Sequence, residues 1–247
     1  MASSTRVRAQ LAKYLDRIGV GMIAIGLIAA TIPAVISALH PTAAGAHVNM
    51  AASRAGWVAS WAAGPVAATD LPSALASFTD QTVRETVYPS VGGDALRIRL
   101  SNLYGTRPVT VGIASVGVVL DGARLVAGSS RPVTFSGKAS VSIPPGAEAV
   151  SDPLGMPVRA QEELDISLYL PVPTGAATNH LDAHQATYMA AGNRAVDDRP
   201  DGFKALDDTW YFADGLDVRS VTADGTVVAF GDSITDGVGS NVGANDR

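Results

Sequence analysis

Leu164-Asp165-Ile166-Ser167-Leu168-Tyr169-Leu170 carries the fold signal of this chain. Apolar and polar residues alternate with a period of two. A helix would scatter these leucines around its axis, whereas a strand places Leu164, Ile166, Leu168 and Leu170 on one face. The same period recurs on the N-terminal side. Leu96, Ile98 and Leu100 alternate with Arg97, Arg99 and Ser101, and Val109, Val111 and Ile113 alternate with Thr110 and Gly112. Shorter strands are expected at Trp57 to Trp61, Thr82 to Tyr88, Val133 to Phe135, Ala139 to Ile143, Gln185 to Met189 and Trp210 to Phe212. Asp121-Gly122, Ser136-Gly137, Pro145-Gly146 and Asp224-Gly225 supply turn geometry between strands. With no long amphipathic helix among them, residues 57–221 are expected to form a mainly β domain, a β-sandwich or jelly roll. The stretch from Ala190 to Thr209 has no period and reads as a long surface loop. Its Asp197, Asp198, Asp201, Asp207 and Asp208 fit no calcium-loop spacing, so a solvated acidic loop is expected.

The β domain is expected to end near Thr222-Ala223-Asp224-Gly225, just before Thr226-Val227-Val228-Ala229-Phe230-Gly231-Asp232-Ser233-Ile234-Thr235-Asp236-Gly237. Uncharged apolar and β-branched residues running into Gly-Asp-Ser are the pattern of a strand buried on both faces that stops at a sharp turn. Gly231 has no Cβ and lets the backbone bend tightly there. Ile234 to Gly237 can begin a helix whose free N–H groups point back at the Ser233 hydroxyl, and such amides stabilise an oxyanion. Asp232 is expected to bond nearby backbone N–H groups and hold the turn, with Thr235 and Asp236 capping the helix. The block differs from a Gly-x-Ser-x-Gly elbow, because Thr235 stands two residues beyond Ser233.

The strand Val227 to Phe230, the block Gly231 to Gly237 and the following Gly239 and Ser240 resemble the GDSL or SGNH hydrolases, a family of serine esterases and lipases. Trp57-Val58-Ala59-Ser60-Trp61, Leu100-Ser101-Asn102 and Ser167-Leu168-Tyr169-Leu170-Pro171 are similar to landmarks of exported members in which a β-rich domain precedes the hydrolase domain. The resemblance implies that residues 226–247 are the first strand, turn and helix start of an α/β, flavodoxin-like hydrolase domain. It implies Ser233 as nucleophile and, through its backbone N–H, as oxyanion donor. Gly231, Asp232, Thr235, Asp236 and Gly237 would form the supporting turn. The implied substrate is a small-molecule or polysaccharide-linked carboxylic ester, with no cofactor and no metal. The family's other elements, a glycine and an asparagine that complete the oxyanion hole and an Asp-x-x-His that supplies the base, lie far downstream of its first block. No Asp-x-x-His occurs up to Arg247, and no histidine follows Ser233. A serine needs an adjacent base to become a useful nucleophile. The expectation is an N-terminal fragment of an exported esterase, inactive alone, with residues 226–247 unordered or borrowed as an edge of the sandwich. A second reading is a non-catalytic β-sandwich binding module with a vestigial Gly-Asp-Ser block. Carbohydrate would be its ligand, with Trp57, Trp61 and Trp210 as its flat apolar surface, although core packing of a small sandwich accounts for these tryptophans equally well.

At 247 residues, 47% hydrophobic and 17% charged, the chain has ample material for a core. It contains no cysteine, so no disulfide staples that core. Arg6, Arg8, Lys13 and Arg17 precede an uncharged run from Ile18 to Leu39 and then Ala43-Ala44-Gly45-Ala46. Residues 1–46 therefore read as an export signal cleaved at Ala44 to Ala46, or as an N-terminal anchor, since Ile18 to Leu39 could span a bilayer. In both cases the remainder is exported. Net charge is −5, and it becomes −8 without residues 1–46, which hold four basic residues and one acidic. An acidic chain with scattered arginines offers no footprint for nucleic acid. In His180-Leu181-Asp182-Ala183-His184, a strand would put residues 180, 182 and 184 on one face and suggest a metal site. A lone cluster without a fourth ligand is expected instead to be hydrogen-bonded loop histidines.

Overall fold

A computed structural model describes residues 56–69 and 77–245, all within one compact unit, Met50–Arg247. The export signal or anchor of residues 1–46, with its run from Ile18 to Leu39, lies outside the described residues. No helix among the described residues is long and apolar enough to cross a membrane.

The period-two stretches become strands. In chain order they are β1 (Gly56–Ala62), β2 (Gln81–Val87), β3 (Ala95–Ser101), β4 (Val109–Val111), β5 (Ile113–Asp121), β6 (Arg124–Leu125), β7 (Arg131–Val133) and β8 (Val141–Ile143). There follow β9 (Glu148–Val150), β10 (Leu164–Leu170), β11 (Asn179–His180), β12 (Thr187–Ala191), β13 (Lys204–Asp207), β14 (Trp210–Tyr211), β15 (Ala213–Ser220) and one helical turn, α1 (Ser233–Asp236). One sheet has the order β1-β15-β3-β9. The larger has the order β13-β12-β2-β10-β5-β6, with β7 also on β5, while β4–β8 and β11–β14 form small pairs. The molecule is mainly β, with several sheets and a half-barrel.

β10 lies at the centre of the larger sheet. Leu164, Ile166 and Leu168 sit opposite Val87, Glu85 and Val83 on β2 and Val118, Val116 and Ala114 on β5. This face meets Leu96, Ile98, Leu100, Leu216 and Val218 of the other sheet in one apolar core. Val109 to Ile113 is two strands rather than one. β4 pairs with β8, and at Gly112 the chain turns to β10, where its N–H donates to the Tyr169 carbonyl at 2.8 Å.

The polar face of the larger sheet is not in water. Thr82, Arg84, Ser115, Asp165 and Ser167 are all buried. Residues 192–203 cover them, which corrects the reading of Ala190 to Thr209 as a surface loop. This stretch begins and ends in strand, at β12 and β13, and Ala195 is buried. Arg84 donates to Ser167 Oγ at 2.8 Å and to the carbonyls of Ala123 and Asp197, each at 2.6 Å, while Phe203 stacks on its guanidinium at 4.0 Å. Ser115 donates to the Ala195 carbonyl. The aspartates of this stretch are tied down as well. Asp198 accepts from Ser130 N at 3.2 Å, and Asp197 pairs with Arg194 at 3.1 Å.

Beyond β15 the expected strand is absent. Residues 224–232 are irregular, and Val227 and Phe230 are 97% and 99% exposed. A parallel strand buried on both faces needs neighbours that supply a hydrogen-bond ladder and covering helices. The described residues contain no parallel pair; every ladder is antiparallel. Nor is Val227 to Phe230 added as an edge strand. Only Thr226 reaches the open edge of β1, where its Oγ1 accepts from Ala59 N at 3.0 Å and donates to Ala59 O at 3.2 Å.

Candidate active site

Gly231 to Gly237 forms a capped helical turn. Asp232 is the N-cap, extended at φ −99°, and its Oδ1 accepts from Ile234 N at 3.1 Å. This removes one of the orphan amides at the helix start. The capping expected of Thr235 and Asp236 is therefore done by Asp232. Thr235 instead packs over Gly231, where an added Cβ would lie 2.1 Å from Thr235 Oγ1, so only glycine fits. Gly237 closes the turn at φ 97°, a left-handed conformation that costs glycine little, and its N–H returns to the Ile234 carbonyl at 3.2 Å. Ser233 opens α1 and is exposed.

No hydrogen bond joins Ser233 Oγ to a histidine among the described residues. A histidine does approach the same turn. His180 Nε2 lies 3.0 Å from Asp236 Oδ1, and Asp236 shares the one-turn helix with Ser233 three residues earlier, on the same side. The His180 ring is stacked on Trp210 at 5.5 Å between centroids, and its Nδ1 lies 2.9 Å from the Gly64 carbonyl. Both ring nitrogens are thus engaged, and neither is directed at Ser233.

His180, Asp182 and His184 do not share a face. β11 ends at His180, and Asp182 and His184 are left-handed at φ 51° and 54°. His184 Nε2 is buried with no partner among the described residues, and the His184 carbonyl accepts from Gly243 N at 2.8 Å. No three His, Cys, Asp or Glu side chains among the described residues come together to hold a metal. No protein-family model matches the chain, and no curated protein matches it.

The tryptophans do not form one face. Trp61 and Trp210 are buried in an edge-to-face pair at 4.8 Å, and Trp57 lies under the Arg97 guanidinium at 4.7 Å. Of the two accounts of the tryptophans, core packing holds for Trp61 and Trp210, which leaves no flat three-ring platform for a sugar.

A second polar group lies close by. Asp214 shares a shallow surface depression with Asn179, His180, Thr178 and Ser101. Burial, and then a hydrogen bond with Glu148, push the Asp214 carboxyl up to about 7, against the pull of Arg99 at 3.1 Å. The charged pattern of residues 213–220 gave no sign that this aspartate would be enclosed. Glu85 was legible in principle. It stands in phase with Val83 and Val87 along β2, so the face that buries these valines encloses Glu85 with them.

Proposed function

We propose that this chain carries the nucleophile turn of an exported SGNH-type serine ester hydrolase, with Ser233 as the attacking residue. The supporting observation is the form of the Gly231 to Gly237 turn. Ser233 stands exposed at the first helical position, where backbone N–H groups have no intrahelical partner, and the turn is held by the Asp232 cap and the close approach of Thr235 to Gly231. In this reading Ser233 Oγ attacks an ester carbonyl, its own N–H stabilises the oxyanion, a base takes the hydroxyl proton, the alcohol leaves, and water releases the acid. His180 is committed to Asp236 and Gly64 rather than to Ser233, and the family resemblance implies an Asp-x-x-His as the base. On this view residues 226–247 are the beginning of an α/β hydrolase domain joined to a β-sandwich or jelly-roll domain. The exposed Val227 to Phe230 segment is its first strand, still without neighbours.

Hydrolysis of a short-chain chromogenic ester tests this, using the 247-residue chain, its Ser233→Ala variant and a chain extended through a downstream Asp-x-x-His. The expected outcome is activity in the extended chain that Ser233→Ala abolishes, and none in the 247-residue chain. Ser233-dependent turnover by the 247-residue chain would point to His180 as the base. Inactivity of both would favour the non-catalytic binding module.

A further inference from the structure

Exposed apolar side chains border the depression at Asp214, on backbone that is tightly fixed. The loop from Asn102 to Arg107 carries Leu103 and Tyr104, 40% and 50% exposed. Hydrogen bonds hold it in place. Asn102 Nδ2 donates to the Arg107 and Ile143 carbonyls at 2.9 Å each, and the Asn102 carbonyl accepts from Gly105 N at 3.2 Å and Gly146 N at 2.9 Å. Tyr104 N donates to Thr178 Oγ1 at 3.0 Å, which ties the loop to the depression that Thr178 lines. Val66, also exposed, is joined to Asn179 by two backbone bonds, at 2.7 and 3.1 Å. A loop so fixed, with Leu103 and Tyr104 left in water, meets a ligand at little ordering cost.

We propose that this depression, with Tyr104 at its rim, is a binding subsite for one ring of an uncharged sugar. Its polar groups call for a neutral hydrogen-bond donor. Asn179 is buried, its Nδ2 donates to the Ala177 carbonyl at 3.0 Å, and its Oδ1 has no partner among the described residues. An acceptor enclosed without a donor is costly, and a ligand hydroxyl supplies the donor. Asp214 accepts as well, but Arg99 at 3.1 Å already balances its charge, which removes the attraction for a cation. No Lys or Arg among the described residues lines the depression, so an anion finds no counter-charge there. A hydroxyl is the group that remains. A pyranose ring joins several hydroxyls to an apolar C–H face, and Tyr104 offers a flat apolar partner with a polar tip for that face. His180 also lines the depression, and its Nε2 meets Asp236 of the Ser233 turn at 3.0 Å. With Ser233 as nucleophile, the sugar held here is the alcohol part of the ester; that assignment alone rests on the hydrolase reading, and the binding does not.

Amide chemical shifts of the 247-residue chain test the subsite, in titrations with the methyl pyranosides of glucose, galactose, mannose and xylose and with the charged sugars glucosamine and glucuronate. Ester turnover plays no part in this readout, so its outcome is separate from that of the Ser233 reading. At least one neutral pyranoside should move the amides of Tyr104, Thr178, Asn179 and Gly215 saturably, and both charged sugars should bind more weakly. Tyr104→Ala, at an exposed position, should weaken the binding about three- to tenfold, the worth of one aromatic contact. Unchanged amides at Ile166 and Leu168 in the variant establish that the β unit is intact. No saturable shift with any neutral pyranoside, a preference for either charged sugar, or binding that Tyr104→Ala leaves unchanged overturns the subsite.

Discussion

Glu85 sits on the apolar face of the larger sheet, opposite Ile166, as a fully enclosed acid. Its Oε1 accepts from Tyr211 N, and its Oε2 has no partner among the described residues. Burial above all, with Asp207 and Asp165 adding to it, holds the carboxyl well above its usual range, against the Tyr211 hydrogen bond. On the opposite face burial pushes Asp165 up to about 7, although Thr86 and Arg84 favour its ionised form. Both acids bind protons more tightly folded than unfolded, so their contribution to stability is present at acid pH and declines as pH rises through the folded values. Glu85→Gln keeps the acceptor for Tyr211 N and removes the ionisation. The variant should match the parent in urea unfolding near about pH 5 and exceed it by about 1–3 kcal/mol near about pH 8.5, the cost of an unsatisfied buried polar group. Equal stability at the higher pH would show that Glu85 is not enclosed.

At the scale of elements, the contact between residues 192–203 and the polar face of the larger sheet centres on Arg84, flanked by Ser115 donating to the Ala195 carbonyl and by Thr82, which donates to the Gly192 carbonyl and accepts from Arg194 N. Arg84 spans the gap, bonding Ser167 on β10, Ala123 after β5 and Asp197 in the covering segment. Its guanidinium is the only group there with enough donors in a fixed fork to satisfy these acceptors together. Arg84→Met should leave buried carbonyls unpaired and cost about 3–5 kcal/mol in urea unfolding. It should also expose the Arg194–Ala195 bond to trypsin, which the parent resists. Arg84→Lys should lie between the two. An unchanged midpoint in Arg84→Met would mean that the cover is held by other contacts. The strand pattern of Thr82 to Tyr88 was readable from alternation alone. That its polar side is covered was not, because the covering partner lies 113 residues away in sequence, from Arg84 to Asp197.

For the whole molecule, the β unit and the segment that follows it differ in what secures them. The unit is closed by an apolar core shared by two sheets, and the segment after Gly225 adds no residue to that core. Deleting residues 226–247 should therefore leave the β-type circular dichroism spectrum in place and change the stability of unfolding by less than about 1 kcal/mol, the scale of exposed polar contacts. A larger loss would mean that the segment braces the sheets.

From alternation at Leu164–Leu170 and Leu96–Leu100, the sequence alone determined that the chain is mainly β and where its central strands run, because a period of two is a local property of residues and pleat. The turn at Gly231 to Gly237 was also legible, since a side-chain cap and two glycines act within a few residues. Tertiary structure alone decided the rest. It decided that the polar face of β10 is enclosed, that Trp61 and Trp210 fill the core, that Val227 to Phe230 stays unpaired and that His180 meets Asp236. Each of these depends on which distant segment comes to cover a given face, and a periodic pattern fixes a strand's two faces without naming what lies against them.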